Sequence, residues 1–499
     1  FEYVFSYTGK VFLRIVYEIV EMKLALYIHL QKYNLSVLYG NRPYYNGIPH
    51  SNEILTRKLE DIKNGLSIVD QDLEYLSEGL EGRTSNPVAL LLDALQHPDA
   101  DLGADNPSLL DWKKVENVAI PHVVLGKTKP GGSWQRMDGS MQTLSLNSWM
   151  ELPTVPFREW LAKKKMSTMA ANTSNRATIA DVKDYYLDFV QQKGLVRNFY
   201  DYHTVTSVQK VFQLKSCIDG ESGEVEPCCQ NVKQNHSYLW EVRGYHLVSG
   251  NDDMENGNII REEFCFVAPC VVLANGTYDI PNKLGVEGEN LPNVIHSLSA
   301  FEKVIKNNNL SSTSDPILVV GAGLSAADAI LMATQKGIPV VHSFRCSAND
   351  PSLIFRKLPA VMYPEYHRIH SFMKGKQKCE LYKPYAKHKV VEIMEENTVL
   401  IQALGSDTIT SVNVSYTVIM IGSRSDLSFL PNEGRNLGVV PKWPIDSKHN
   451  PFDINVYSYQ SNYEPGLYAM GPLVGDNFVR FGIGGALGIV NHMLARQKE

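Results

Sequence analysis

The residues best suited to chemistry are Gly321, Gly323, Ser325 and Ala326, in the run Ile317-Leu318-Val319-Val320-Gly321-Ala322-Gly323-Leu324-Ser325-Ala326-Ala327-Asp328. Four apolar residues read as a buried parallel strand, Gly-x-Gly-x-x-Ala follows at once, and an alanine-rich helix begins. Gly321 permits a tight turn, Gly323 lets the backbone approach a pyrophosphate, and the small Ala326 lets the helix pack close to the sheet. The first N–H groups of the helix, that of Ser325 among them, have no intrahelical acceptor and favour an anion. The expectation is a dinucleotide site; the alternative is a plain glycine turn in an unrelated α/β domain.

A second strand, Ile338-Pro339-Val340-Val341-His342-Ser343-Phe344, ends at Arg345. An acidic residue there would bind the ribose 2′-OH of NAD, whereas an arginine suits the 2′-phosphate of NADP. Asp350, further along the loop, is the acidic rival, and a solvated surface charge is the bland reading of Arg345. NADP is the expected cofactor.

The elements that must position these residues belong to an ordinary globular chain. It has 499 residues, 44% of them hydrophobic and 20% charged, enough for several domains with large cores. The net charge of −6 and the lack of a basic stripe give no electrostatic case for nucleic acid. The seven cysteines are odd in number and irregularly spaced, without Cys-x-x-Cys. That pattern speaks against a disulfide framework, a zinc site or a dithiol redox centre and for a cytoplasmic protein. Residues 11–30 are fairly apolar, but Arg14, Glu18, Glu21 and Lys23 argue for a buried or amphipathic helix and against a membrane span. His367 and His370 share a helical face but lack a third ligand, so no metal is expected.

Along the chain, residues 51–115 read as polar and helical, 121–125 as a strand, and 178–193 as a helix stopped by Gly194. Segments 204–212, 238–248 and 264–274 read as a β-meander. The polar run 306–314 reads as a linker before an α/β unit that closes with strand 416–421; turns and a final helix follow.

Three further pieces add a flavin site to the nicotinamide site. Gly131-Gly132-Ser133-Trp134 follows a strand, and glycine lets backbone lie against a flavin. Val271-Val272-Leu273-Ala274-Asn275-Gly276-Thr277 resembles the Ala-Thr-Gly strand that links flavin and nicotinamide domains, with Asn275 where Thr is usual. Gly466-Leu467-Tyr468-Ala469-Met470-Gly471 leads to Asp476, a carboxylate for the ribityl chain, and to Gly482-Ile483-Gly484-Gly485-Ala486, which opens a helix aimed at the flavin. The fold expected is α/β, with two Rossmann-like domains and the NADP domain inserted in a discontinuous FAD domain. The boundaries are 1–40 (outside the pattern), 41–310 (FAD-type), 311–425 (NADP) and 426–499 (FAD-type).

Tyr363-Pro364-Glu365-Tyr366-His367, Asp350-Pro351-Ser352-Leu353-Ile354-Phe355, Ser67-Ile68-Val69-Asp70-Gln71-Asp72-Leu73-Glu74-Tyr75-Leu76 and Gly471-Pro472-Leu473-Val474-Gly475-Asp476-Asn477-Phe478-Val479-Arg480-Phe481 resemble the oxidative stress-induced growth inhibitor family, over roughly residues 41 to 499. The resemblance implies a flavin-monooxygenase-like protein binding FAD and NADP, with a cytoplasmic role in growth, differentiation or the oxidative-stress response. It also makes protein partners in cell growth or cytokinesis an expectation. The reaction it implies is hydride transfer from NADPH to the flavin, then transfer of one oxygen atom from O2 to a soft small-molecule nucleophile or a protein substrate. No residue is nominated as catalytic acid or base.

The chain departs from that pattern at its first glycine loop. Family members carry an N-terminal strand–Gly-x-Gly-x-x-Gly–helix for the FAD pyrophosphate. Here no two glycines before Gly131 make Gly-x-Gly. An alternative exon or mistaken gene model over residues 1–40 would explain this; loss of FAD binding is the other reading. The strand ending at Leu125-Gly126 offers no acid for the adenosine ribose. Of the monooxygenase fingerprint Phe-x-Gly-x-x-x-His only His296-Ser297 remains. A catalytically weak NADP(H)-binding regulator is therefore the competing expectation.

Overall fold

Short apolar strands alternating with helices build two parallel sheets, and the chain divides into two compact units around them. The computed structural model describes residues 13–16, 33–37, 55, 58, 68, 71–114, 120–137, 139–166, 175–212, 238–249, 259–307 and 310–498. Unit one comprises Phe1–Gln135, Ser140–Thr277 and Ser425–Glu499; unit two comprises Arg136–Gly139 and Tyr278–Arg424. In chain order, the second is inserted in the first.

The strands of the first half are β1 (Leu13–Val16), β2 (Tyr33–Val37), β3 (Leu110–Lys114), β4 (His122–Leu125), β5 (Phe199–Tyr200), β6 (His203–Phe212), β7 (Tyr238–Ser249), β8 (Ile259–Ala268) and β9 (Val271–Leu273). Then come β10 (Ile280–Pro281), β11 (Val294–Ile295), β12 (Ile317–Val320), β13 (Val340–Phe344), β14 (Tyr382–Ala386), β15 (His388–Ile393), β16 (Thr398–Ala403), β17 (Ile409–Asn413), β18 (Thr417–Ile419), β19 (Ser423–Arg424) and β20 (Leu467–Ala469). The helices are α1 (Leu73–Ser77), α2 (Pro87–Gln96), α3 (Asn147–Met150), α4 (Phe157–Met166), α5 (Ile179–Gln192), α6 (Leu298–Asn307), α7 (Leu324–Gln335), α8 (Pro364–Met373) and α9 (Gly482–Lys498).

Unit one is built on the sheet β20-β9-β1-β4-β5, parallel throughout. β9 is fully buried, as a strand covered on both faces should be. From β1 the chain moves outward through β4 to β5, then returns to β9 and moves the other way to β20. The reversal falls between β1 and β9, and ligands of open α/β sheets bind at such a point, beyond the carboxyl ends of the strands. The antiparallel meander β6-β7-β8 follows the expected strands, though its third strand begins earlier and is separate from β9.

Two expectations are corrected here. Leu13–Val16 is a strand rather than part of a helix, with Ile15 and Val16 suited by β-branching to a place between two parallel neighbours. Residues 17–32 of that stretch lie outside the described residues. The polar 51–115 stretch does contain α1 and α2, started by the Asp72 cap and by Pro87, but it ends in strand β3, paired antiparallel with β2.

Unit two repeats the design. Its sheet is β11-β18-β12-β13-β14, again parallel throughout, with the reversal between β12 and β18. A second, antiparallel sheet, β15-β16-β17, accompanies it. The main stretch of this unit begins at Tyr278, upstream of the 306–314 linker, and α6 belongs to its core: Phe301 of α6 is buried in one cluster with Ile317, Ile330 and Phe344.

Candidate functional site

In unit two, β12 ends at Val320 and the chain turns through Gly321 into α7. Gly321 has φ +128°, and a Cβ there would stand 2.2 Å from the carbonyl oxygen of Met420, at the end of the neighbouring β18. Both the backbone conformation and the close approach demand glycine. Gly323 differs: it caps α7, and a Cβ on it would meet nothing within 4 Å. Its freedom of space lies at the N-terminus of a twelve-residue helix, where an anion is favoured. Ser325 is exposed on the first turn, and Ala326 is buried against the sheet.

Arg345 follows the last residue of β13 and is exposed. Parallel pairing places Val320 opposite Ser343, and the Gly321 N–H donates to the Ser343 carbonyl at 3.0 Å. The glycine turn and Arg345 therefore share one edge of the sheet.

Sequence reasoning missed the residue that holds this turn. His342 is fully buried on β13; its Nε2 lies 2.6 Å from the Gly321 carbonyl oxygen and its Nδ1 2.7 Å from the Tyr382 hydroxyl. A carbonyl can only accept, so Nε2 carries the proton and Nδ1 accepts from the tyrosine. Burial lowers the His342 pKa to about 4, which keeps this neutral arrangement at ordinary pH. A histidine inside an apolar strand was the available signal.

In unit one, the register sets Val16 opposite both Leu125 and Leu273, and Leu273 opposite Ala469. The segments that follow these residues thus line a single sheet edge, bringing together Gly131, Gly132, Ser133 and Trp134 after β4, Ala274 and Gly276 after β9, and Gly471 after β20. Gly131 and Gly132 have φ of +108° and +55°, and a Cβ on Gly131 would press on the Tyr186 ring at 3.1 Å. The turn is held by the Trp134 N–H donating to the Gly131 carbonyl and by Gln135 Nε2 donating to the Pro130 carbonyl. Gly276 and Gly471 also have positive φ, +62° and +67°.

This edge carries buried polar atoms without partners: Ser133 Oγ and Trp134 Nε1 on one side of β1, and Asn275 Oδ1 on the other. The Tyr186 hydroxyl, on the helix behind Gly131, is in the same condition. Such atoms are costly in a native interior unless a polar group meets them.

The remaining site candidates have contacts of their own within unit one. Asp476 is buried, and its carboxylate accepts from Thr84 Oγ1, from Asn86 Nδ2 at 2.9 Å and from the Tyr459 hydroxyl at 2.9 Å. Burial raises its pKa to about 6, against the opposing pull of those three donors. A Cβ on Gly484 would stand 2.4 Å from Ala89 Cα, so this glycine lets α9 cross α2; Gly485 abuts the Tyr459 ring. His296 Nε2 is 3.0 Å from Glu289, and His367 and His370 each contact a backbone carbonyl, of Leu358 and Ala348. Among the described residues there is no metal-binding cluster. No described helix is long and apolar enough to cross a membrane.

Over 472 residues the chain is 42% identical to human oxidative stress-induced growth inhibitor 2, spanning 93% of this chain and 91% of that protein. Human oxidative stress-induced growth inhibitor 1 matches at 42% over 468 residues, 92% of each. The chain belongs to the oxidative stress-induced growth inhibitor family. Residues 253–446 also match the family described as pyridine nucleotide-disulphide oxidoreductase. Among solved structures, bacillithiol disulfide reductase Bdr from Bacillus cereus superposes with a TM-score of 0.55 at 15% identity, covering 98% of this chain and 100% of that one. At that identity the likeness is one of fold, and the fold is the two-Rossmann architecture of flavoprotein oxidoreductases.

Proposed function

We propose that the protein is a flavin-dependent, NADPH-using oxidoreductase of monooxygenase type, acting in growth control or the oxidative-stress response. Unit two would bind NADP(H) and unit one FAD. The observation that carries this reading is the turn at the end of β12: a glycine that no other residue can replace, an open position at Gly323 over a helix N-terminus, and Arg345 at the end of the next strand. These features suit a pyrophosphate and a ribose 2′-phosphate.

The residues present on unit one fit an isoalloxazine. Trp134 Nε1 is a free donor, Asn275 Oδ1 a free acceptor and Ser133 Oγ can be either, as a ring bearing carbonyl oxygens and an N–H requires. A bound flavin would supply the hydride-accepting and oxygen-activating chemistry. The protein's part is to orient the ring on the rigid Gly131–Gly132 backbone, satisfy its polar edge and exclude water with Trp134. The names of the human relatives support the growth and stress setting.

A second reading, a catalytically weak NADP(H)-binding regulator acting through protein partners in the cytoplasm, is favoured by one observation. After Val16 the chain runs Tyr17-Glu18-Ile19-Val20-Glu21-Met22, with no glycine before Gly40. Anaerobic mixing of purified protein, supplied with FAD, with NADPH separates the two. Bleaching of the flavin's visible absorbance is the expected result; binding of NADPH without any flavin reduction would leave the regulator.

A further inference from the structure

Residues 439–444, Val439-Val440-Pro441-Lys442-Trp443-Pro444, are six consecutive exposed residues in unit one. Val439, Val440 and Trp443 are 53%, 40% and 63% exposed. An apolar run this open would ordinarily be mobile, but this one is fixed from beneath by a single side chain. Asn450 is buried; its Oδ1 accepts from the Val440 N–H at 2.7 Å, and its Nδ2 lies 3.1–3.3 Å from the carbonyl oxygens of Val440, Trp443 and Pro444. Gly438 makes room for that amide: a Cβ there would come within 2.8 Å of it.

The backbone donors of the run are fully used. The Val439 N–H donates to Pro451, that of Val440 to Asn450, that of Lys442 to Arg435 and that of Trp443 to Val440, each within the unit. Pro441 and Pro444 have no N–H. A tip with apolar side chains outward and no spare backbone donor, its remaining carbonyls free to stay at headgroup level, suits the interface layer of a bilayer.

Charge selects among dry environments. Arg435 pairs with Glu433 and His449 with Asp446, whereas Lys442 and Lys448 are exposed and have no acidic partner among the described residues. An indole beside free ammonium groups is the composition of a headgroup-level anchor.

We propose that the 439–444 tip docks the protein reversibly on an anionic lipid surface, with Trp443, Val439 and Val440 at the acyl boundary and Lys442 and Lys448 among the phosphates. This is a peripheral contact, separate from the cofactor reading.

The test is co-sedimentation of the full chain with vesicles of phosphatidylcholine and phosphatidylserine in equal parts, and with vesicles of phosphatidylcholine alone. Binding to the mixed vesicles is expected, several-fold weaker on the neutral ones and weakened by salt. Trp443→Ala should reduce it about tenfold and Lys442→Gln about fivefold, while the far-ultraviolet spectrum and thermal midpoint stay unchanged. Absence of binding to either vesicle overturns the proposal, as does binding indifferent to Trp443→Ala. A wild-type chain that ignores vesicles but forms a dimer broken by Trp443→Ala would overturn it in favour of an interface between copies.

Discussion

The two units solve the same topological problem with different degrees of completion. Each has a five-stranded parallel sheet whose chain reverses direction beside its first Rossmann strand, β1 in unit one and β12 in unit two. Beyond β12 stand an obligate glycine turn, a capped helix and an arginine. Beyond β1 the sequence offers no glycine, yet the polar atoms on both flanks of that strand are left unmatched. Sheet order therefore makes the crevice, and a few residues at the strand exits decide what it can hold. Unit one has unmatched polar atoms at its strand exits, while its sequence after β1 has no glycine before Gly40.

The largest effect that would break this contrast is transplantation. Replacing residues 17–22 with Gly-x-Gly-x-x-Gly should raise FAD affinity at least about a hundredfold, from the charge-assisted N–H bonds a helix start provides. The unaltered chain should purify with little flavin. Stoichiometric yellow protein without the graft would show that the polar flanks suffice.

Within unit two, the two glycines of the turn should separate cleanly. Gly321→Ala forces a Cβ onto the Met420 carbonyl in a left-handed conformation and should cost about 3 kcal/mol, seen as a lowered unfolding midpoint. Gly323→Val should leave stability within about 1 kcal/mol while weakening NADPH binding. Equal loss of stability in both variants would undo the assignment of separate roles.

Acid should affect the units in opposite senses. The folded pKa of His342 is lowered from 6.5 to about 4, so its contribution is complete above pH 6.5 and is lost as pH falls through 4, up to about 3 kcal/mol. The pKa of Asp476 is raised from 3.8 to about 6, so its contribution is present at low pH and lost as pH rises through 6. Hydrogen exchange followed from pH 6.5 to 4 should report earlier opening around β12 and β13 than around α2 and α9. His342→Phe should flatten the response in unit two alone. Smallest in scale, Arg345→Glu should erase or invert a preference for NADPH over NADH without moving any unfolding midpoint, because the side chain is exposed. Titration of both cofactors measures it.

What was legible in the sequence follows from how local each signal is. The β12–turn–α7 unit could be read because strand period, glycine spacing and helix composition agree within a dozen residues. The meander strands and α5 were readable for the same reason. β1 was hidden because Arg14 and the charges after it suggest an amphipathic helix, and only its parallel neighbours, far along the chain, make it a strand. Gly484 has a packing role that its local sequence hides: the Ala89 contact that lets α9 cross α2 lies almost four hundred residues away. His342 was overlooked because its partner, the Gly321 carbonyl, is a backbone atom with no trace in residue type.

The interleaving of the two units also fixes an order of events during synthesis. All of unit two but the short segment 136–139 leaves the ribosome as one uninterrupted stretch and can close its sheet while translation continues. Unit one cannot: β9 waits for β20 as its outer neighbour, and the wall formed by α9 against Ala89 is made last. Throughout that interval a strand destined for complete burial has one unpaired side, a vulnerable edge that chaperones and proteases can sense. A pause or truncation near the 3′ end of the message would thus release a chain whose nicotinamide-type half is finished and whose flavin-type half is still open.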